Sequence, residues 1–144
     1  MTAILTRFVH ASSPAPARAP AGSASGGVRV VLRLEGAAAF AAAIALYGHD
    51  GFSWLAFVLL FLAPDLAMVA YLAGPRAGAL AYNFVHTYAL PLALAFAGFA
   101  LGSTVASALA LIWIAHIGFD RMLGYGLKYA SGFGDTHLGR MGHE

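Results

Sequence analysis

The chain contains no cysteine among its 144 residues. This absence excludes disulfide bonds, metal sites built on thiolates and a cysteine nucleophile. Histidine, aspartate and glutamate are then the side chains through which the protein could bind a transition metal.

Charged residues are also scarce. Asp, Glu, Lys and Arg make up 10% of the chain, whereas a soluble domain contains about 25%. Hydrophobic residues make up 60%, and the mean hydropathy is +0.77. The net charge of +2 comes from basic residues dispersed along the chain, which suits anionic lipid headgroups better than nucleic acid. The sequence therefore predicts a membrane domain whose partner is the lipid bilayer and not a nucleic acid.

Four long apolar stretches can be read, at residues 28–47, 52–72, 78–101 and 104–125. About 20 apolar residues in a helix cross a hydrocarbon core of roughly 30 Å. These runs lack the alternation that is typical of barrel strands. The sequence predicts an all-α fold, a four-helix polytopic membrane bundle, with kinks at Pro64 and Pro91 because proline removes a backbone hydrogen bond.

The two ends of the chain differ from this core. Residues 1–27 are low in complexity and rich in Ala, Pro and Ser, so they are predicted to form a disordered tail. Residues 28–130 form the predicted four-helix transmembrane domain. Residues 131–144 are polar and rich in glycine, and they are predicted to form a tail on the surface.

The basic residues indicate the orientation, because all eight fall on one side of the predicted topology. They are Arg7, Arg18, Arg29, Arg33, Arg76, Arg121, Lys128 and Arg140. The two other connections, residues 48–51 and 102–103, contain neither Lys nor Arg. Positive charge is retained on the cytoplasmic side during insertion. Both termini and the Arg76 loop are therefore predicted to be cytoplasmic, in a multi-pass protein of the inner membrane.

Six polar residues interrupt the apolar stretches. They are Glu35, Asp65, Asn83, His86, His116 and Asp120. With a rise of 1.5 Å per residue, all six lie roughly 10–18 Å from the cytoplasmic edge. Antiparallel helices therefore bring them to one layer. An unpaired carboxylate at this depth costs about 2.5–3.5 kcal/mol, so these groups must be paired, protonated or bound to a ligand.

A metal site is one interpretation of this layer. Asn83 and His86 are three residues apart and His116 and Asp120 four apart, so each pair shares a helix face. Two imidazoles with carboxylates on facing helices are typical ligands for Zn, Mn or non-haem Fe. The predicted ligands are Asp65, His86, His116 and Asp120. A membrane hydrolase or oxidase acting on a lipid-like substrate would follow, with Glu35 as a candidate base.

Two other interpretations remain open. In the first, Arg33 and Arg121 neutralise two carboxylates, and Asn83 and the histidines satisfy the rest. Together with Glu35 they form a buried salt-bridge network of a structural or accessory subunit. In the second, Asp65, the two histidines and Asp120 form a proton or ion pathway. Four short helices are small for a transporter, so this second interpretation also predicts a homo-oligomer or a larger membrane complex.

The sequence resembles the domain of unknown function 4260 family, a group of small bacterial integral membrane proteins. The resemblance covers about residues 30–139. It rests on Arg33-Leu34-Glu35-Gly36, Ala63-Pro64-Asp65-Leu66, Tyr71-Leu72-Ala73-Gly74-Pro75-Arg76, Tyr82-Asn83-Phe84-Val85-His86-Thr87-Tyr88, Ala115-His116-Ile117-Gly118-Phe119-Asp120-Arg121, Gly124-Tyr125-Gly126-Leu127-Lys128-Tyr129 and Asp135-Thr136-His137-Leu138-Gly139. It implies a membrane fold and transfers no catalytic or binding residue.

Overall fold

A computed structural model describes residues 20–141, so most of the predicted N-terminal tail, with Arg7 and Arg18, lies outside the described residues. The elements are α1 (Gly26–His49), α2 (Trp54–Leu60), a 3₁₀ helix (Ala63–Ala73), α3 (Pro75–Val85), α4 (Ala89–Leu101), α5 (Thr104–Leu123), β1 (Asp135–Thr136) and β2 (Gly139–Arg140). The two short strands pair antiparallel.

These helices form four segments that are long and apolar enough to cross a membrane. The spans are Gly26–His49, Trp54–Ala73, Pro75–Leu101 and Thr104–Leu123. The chain is therefore a four-helix membrane protein, as the apolar stretches predicted. We call the end of the bundle at which α1 begins and α5 ends the basic end. Among the described residues, the basic side chains there are Arg29, Arg33, Arg76, Arg121, Lys128 and Arg140.

Two glycines allow α1 and α5 to pack closely. A Cβ on Gly118 would lie 2.6 Å from the backbone nitrogen of Phe40 in α1, and a Cβ on Gly36 would overlap the side chain of Arg121. Small residues at such a contact let helix backbones approach in lipid, where dispersion contacts replace the hydrophobic driving force. The crossing fixes α5 against α1 at the depth of the polar residues.

At the end opposite the basic end, the bundle has an aromatic core. Tyr47 is buried, and its ring contacts those of Phe52, Trp54 and Phe57 at centroid distances of 5.1–5.3 Å. The Tyr47 hydroxyl donates to the carbonyl of Ser53 at 2.7 Å. This core packs α1 and α2 together and leaves the polar residues at the other end.

The second span changes helix type near Pro64. Proline has no N–H to donate to the carbonyl of Leu60, and α2 ends at that residue. The chain continues as an 11-residue 3₁₀ helix, which is long for this type of helix. The change of helix type lies where the sequence predicts a kink, and Asp65 lies in the first turn of the new helix.

The third span is broken at residues 86–88, between α3 and α4. Pro91 lies in the first turn of α4 and cannot donate to the carbonyl of Thr87, so a continuous helix would lose this bond. Trp113 Nε1 instead donates to the carbonyl of Val85, the last residue of α3, at 2.6 Å. His86 therefore lies at the break, where its side chain is positioned by the end of α3.

Residues 124–141, the C-terminal segment, fold back onto the basic end. Asn83 donates to the carbonyl of Lys128 at 2.8 Å and accepts from its N–H at 2.7 Å. Thr136 and Leu138 are fully buried. His137 Nδ1 accepts from Leu127 N–H at 2.8 Å. Although polar in sequence, this segment is packed against the bundle.

Candidate metal centre

Four side chains from three spans converge near the basic end. They are Asp65, His86, His116 and Asp120, and one ligand atom from each lies within 4.8 Å of the others. The two Nε2 atoms are 3.0 Å apart. Asp65 Oδ1 lies 3.4 Å from His86 Nε2 and 3.5 Å from His116 Nε2, and Asp120 Oδ2 lies at 3.6 and 3.8 Å from the same two atoms. We call these four residues the cluster.

The orientation of His86 is fixed by the backbone of its own helix. Its Nδ1 lies 2.9 Å from the carbonyl of Tyr82. A carbonyl can only accept, so Nδ1 carries the proton and donates it. In the neutral ring Nε2 then presents a lone pair to the cluster, which is the arrangement that metal-bound histidines adopt.

Tyr82 supports two members of the cluster. Its ring stacks on that of His86, with the centroids 3.6 Å apart. Its hydroxyl donates to Asp120 Oδ2 at 2.8 Å. Both groups are therefore oriented by one buried tyrosine that is not itself a ligand.

His116 is fully enclosed. Its side chain is 1% exposed, and its ring meets that of Phe61 edge to face at 5.5 Å. Its Nδ1 is buried without a hydrogen-bond partner among the described residues. Such an unsatisfied group costs about 1–3 kcal/mol, so the other interactions of this ring must compensate.

The side chains of the cluster differ in how far they are exposed at the protein surface. Both histidines are buried, and the Asp120 side chain is 12% exposed. The Asp65 side chain is 28% exposed and belongs to the irregular second span. Small molecules could therefore approach the cluster most easily on the side of Asp65.

The other predicted polar residues lie outside the cluster. Glu35 is exposed on α1 and is not among the converging groups. Arg33 Nε donates to the carbonyl of Met122 at 2.9 Å. Arg121 contacts His137 Nε2 at 2.8 Å and donates to the carbonyl of His86 at 3.3 Å. Asn83 binds the C-terminal segment, so these residues anchor the surroundings of the cluster.

Lys128 covers the basic end of the cluster. Its side chain is buried, and its ammonium lies 4.1 Å from the ring centroid of Phe133 and 5.0 Å from that of Tyr82. It also donates to the Met141 sulfur at 2.8 Å. Burial lowers the pKa of Lys128 to about 8, although the negative charges of Asp120 and Asp65 oppose this shift.

His137 lies beside Lys128 in the C-terminal segment. Burial lowers its pKa below the usual 6.5, and the positive charge of Arg121 lowers it further, against the opposing hydrogen bond from Leu127. The neutral ring is the form that accepts the Leu127 N–H bond at Nδ1.

The sequence did not indicate the roles of Tyr82 and Lys128. From sequence alone, Tyr82 is interpreted as a packing or interfacial aromatic residue. It lies four residues before His86, however, and this spacing puts both on one helix face. That spacing was the available signal. Lys128 had no such signal, because its position depends on how the C-terminal segment folds.

Comparison with known proteins gives the family but not a function. No curated protein and no solved structure matches the chain. The sequence profile of the family described as domain of unknown function (DUF4260) matches residues 29–141. The match covers well over half of the chain and every member of the cluster. The protein is therefore a member of the DUF4260 family.

Proposed function

We propose that this DUF4260 protein is a membrane-embedded metalloenzyme whose cluster binds one divalent metal ion. Zn, Mn and Fe all accept imidazole nitrogen and carboxylate oxygen as ligands. When bound, such an ion would take a substrate carbonyl or a water as a ligand in addition to the four protein atoms. It would polarise that carbonyl or lower the pKa of that water, which is the chemistry of a metal-dependent hydrolase.

The spacing of the four ligand atoms carries this proposal. In a tetrahedral site with bonds of 2.0–2.1 Å, ligand atoms lie about 3.3 Å apart. The measured contacts between imidazole nitrogens and carboxylate oxygens are 3.4–3.8 Å. Hydrogen bonds from N–H to oxygen are shorter, at about 2.7–3.2 Å. The four nitrogen–oxygen distances are therefore closer to the spacing of ligand atoms around an ion than to hydrogen bonds, whereas the two Nε2 atoms, at 3.0 Å, also lie within hydrogen-bonding distance of each other.

The charges support the same conclusion. Two carboxylates among neutral imidazoles leave two negative charges in a region of low dielectric, at a cost of about 2.5–3.5 kcal/mol each. Protonating both histidines is unfavourable, because their Nε2 atoms are 3.0 Å apart and two N–H groups would then face each other. A divalent cation neutralises both carboxylates and uses both lone pairs.

A salt-bridge network of a structural subunit is supported less well. The ion-pair partners recorded for Asp65 and Asp120 in residues 20–141 are the two imidazoles. Arg121, which such a network would require, contacts His137 and the His86 carbonyl instead.

Metal content is the decisive measurement. Protein purified in detergent and loaded with Zn²⁺, Mn²⁺ or Fe²⁺ should retain close to one equivalent per chain after desalting. The His116→Gln variant should lose the bound metal, because glutamine keeps one hydrogen-bonding group but not the ligand strength of imidazole. His49→Ala is the matched control, since His49 is exposed at the far end of α1.

Helical content and elution volume of each variant distinguish loss of metal from loss of fold. A folded His116→Gln protein without metal supports the proposal. A wild-type protein that retains no metal, or a His116→Gln protein with undiminished metal, overturns it.

A further inference from the structure

An apolar cavity of about 500 Å³ lies between the second, third and fourth spans. Its volume is typical of small-molecule sites, which measure about 300–1,000 Å³. The wall residue with a polar tip is Trp113, and its N–H is already bonded to the carbonyl of Val85. The cavity therefore offers contacts to hydrocarbon and little else.

The cavity adjoins the cluster. Three wall residues lie directly before a ligand in sequence or one helical turn before it: Pro64, Val85 and Ile112. From this level the walls continue away from the basic end, along Leu60, Leu94 and Leu109. Leu109 precedes His116 by seven positions in α5, so the cavity reaches about 10 Å from the cluster along the bundle.

This direction matches the orientation of a membrane lipid. A lipid in the leaflet at the basic end has its polar group toward that end and its chain toward the bilayer centre. The cluster lies nearer the basic end, and the cavity extends from it toward the centre. A lipid moving sideways from that leaflet would enter with its polar part at the cluster and would not need to turn over.

We propose that the cavity binds the hydrocarbon chain of a membrane lipid whose polar group reaches the metal at the cluster. This proposal rests on the proposed function and specifies its substrate class as a lipid with an alkyl or acyl chain. The chain and the reacting group are then held by different parts of the protein, the cavity and the cluster.

Hydroxamates of two lengths provide the probes, because a hydroxamate binds metal and its chain can be varied. Protein loaded with Co²⁺ is titrated with acetohydroxamate and with octanohydroxamate, and the visible absorption of the metal reports binding. Leu94→Trp narrows the cavity, whereas Leu92→Trp adds the same side chain at an exposed position of α4. Leu109→Trp is a second blocking variant on α5.

Octanohydroxamate partitions into detergent equally in every sample. A difference in its binding between the blocking and control variants therefore reports on the cavity alone. The introduced tryptophan should keep three or more methylenes of the octanohydroxamate chain out of the cavity. The half-saturating concentration of octanohydroxamate should then rise about tenfold or more in Leu94→Trp and Leu109→Trp. It should stay unchanged in Leu92→Trp. Acetohydroxamate should bind all folded variants equally.

The outcomes distinguish this proposal from the one on which it rests. Metal is measured first by elemental analysis, and its absence from the wild-type protein overturns the metalloenzyme and this proposal together. With metal present, an equal response of blocking and control variants overturns the lipid-chain site alone. An absence of any spectral response to either probe would mean that the metal takes no further ligand, and it overturns the metalloenzyme and this proposal together.

Discussion

At the scale of single residues, the cluster combines groups that are costly in a membrane with groups that reduce that cost. His86 donates its Nδ1 proton to a backbone carbonyl, and Tyr82 donates to Asp120. The His86 contact leaves Nε2 to face the other ligands, whereas the Tyr82 hydroxyl binds Asp120 Oδ2, the same oxygen that faces both histidines. Partners of this kind outside the ligand set commonly change metal affinity by about 10–100-fold.

Tyr82 therefore gives a prediction. Tyr82→Phe keeps the ring that stacks on His86 but removes the hydroxyl that binds Asp120. Metal affinity should fall by about 10–100-fold, because the Asp120 carboxylate loses its orienting donor. Competition with a chromogenic chelator measures this change. Tyr125→Phe, at an exposed position, should bind like the wild type, and equal affinity of both variants would contradict the role of Tyr82.

The four residues of the cluster could be identified from sequence, whereas most of their supporting contacts could not. Depth and helical spacing are periodic properties, so they can be read without a structure. The bond from Asn83 to Lys128 joins residues 45 positions apart, and no local pattern encodes it. The same limit explains why the sequence did not distinguish Glu35 from the cluster. Glu35 is at a similar depth, but it is exposed on α1 and lies outside the converging groups.

At the scale of helices, the cluster is formed by two interrupted spans, the second and third, and one continuous helix, α5. Asp65 follows the change to a 3₁₀ helix, and His86 lies at the break of the third span. His116 and Asp120 lie on the unbroken α5, which is the most buried span. The prolines allowed both interruptions to be predicted. The long 3₁₀ helix could not be, since a proline ends an α-helix without specifying the conformation of the next residues.

The close contact of α1 and α5 gives a second prediction. Gly118→Ala would put a methyl group against the backbone of Phe40, so the helices must separate. Overpacking of this kind costs about 1–3 kcal/mol, and the thermal unfolding temperature in detergent should fall. Gly27→Ala meets no atom within 4 Å and should leave that temperature unchanged or slightly raised. Equal unfolding temperatures for the two variants would refute this description of the contact.

At the scale of the whole molecule, the protein is divided along the membrane normal. One end has the aromatic core around Tyr47, and the basic end has the cluster under the C-terminal segment. The four spans follow from hydrophobic length, so the sequence predicts them well. The folded C-terminal segment has no periodicity, and its burial depends on distant partners such as Asn83 and Ala24. Sequence alone therefore identified it only as polar.

The orientation of this division in the membrane is the last prediction. The basic residues predict that Arg76 is cytoplasmic and that Asp50 is on the opposite side. Asp50 is exposed in the connection between the first two spans, and Arg76 is exposed in the first turn of α3, where the third span begins. The native chain has no cysteine. Asp50→Cys should thus react in intact cells with a membrane-impermeant thiol reagent, whereas Arg76→Cys should react only after the membrane is opened. If both react from the same side, the four-span topology is wrong. If only Arg76→Cys reacts in intact cells, the orientation is reversed, and the cluster then lies in the outer half of the membrane.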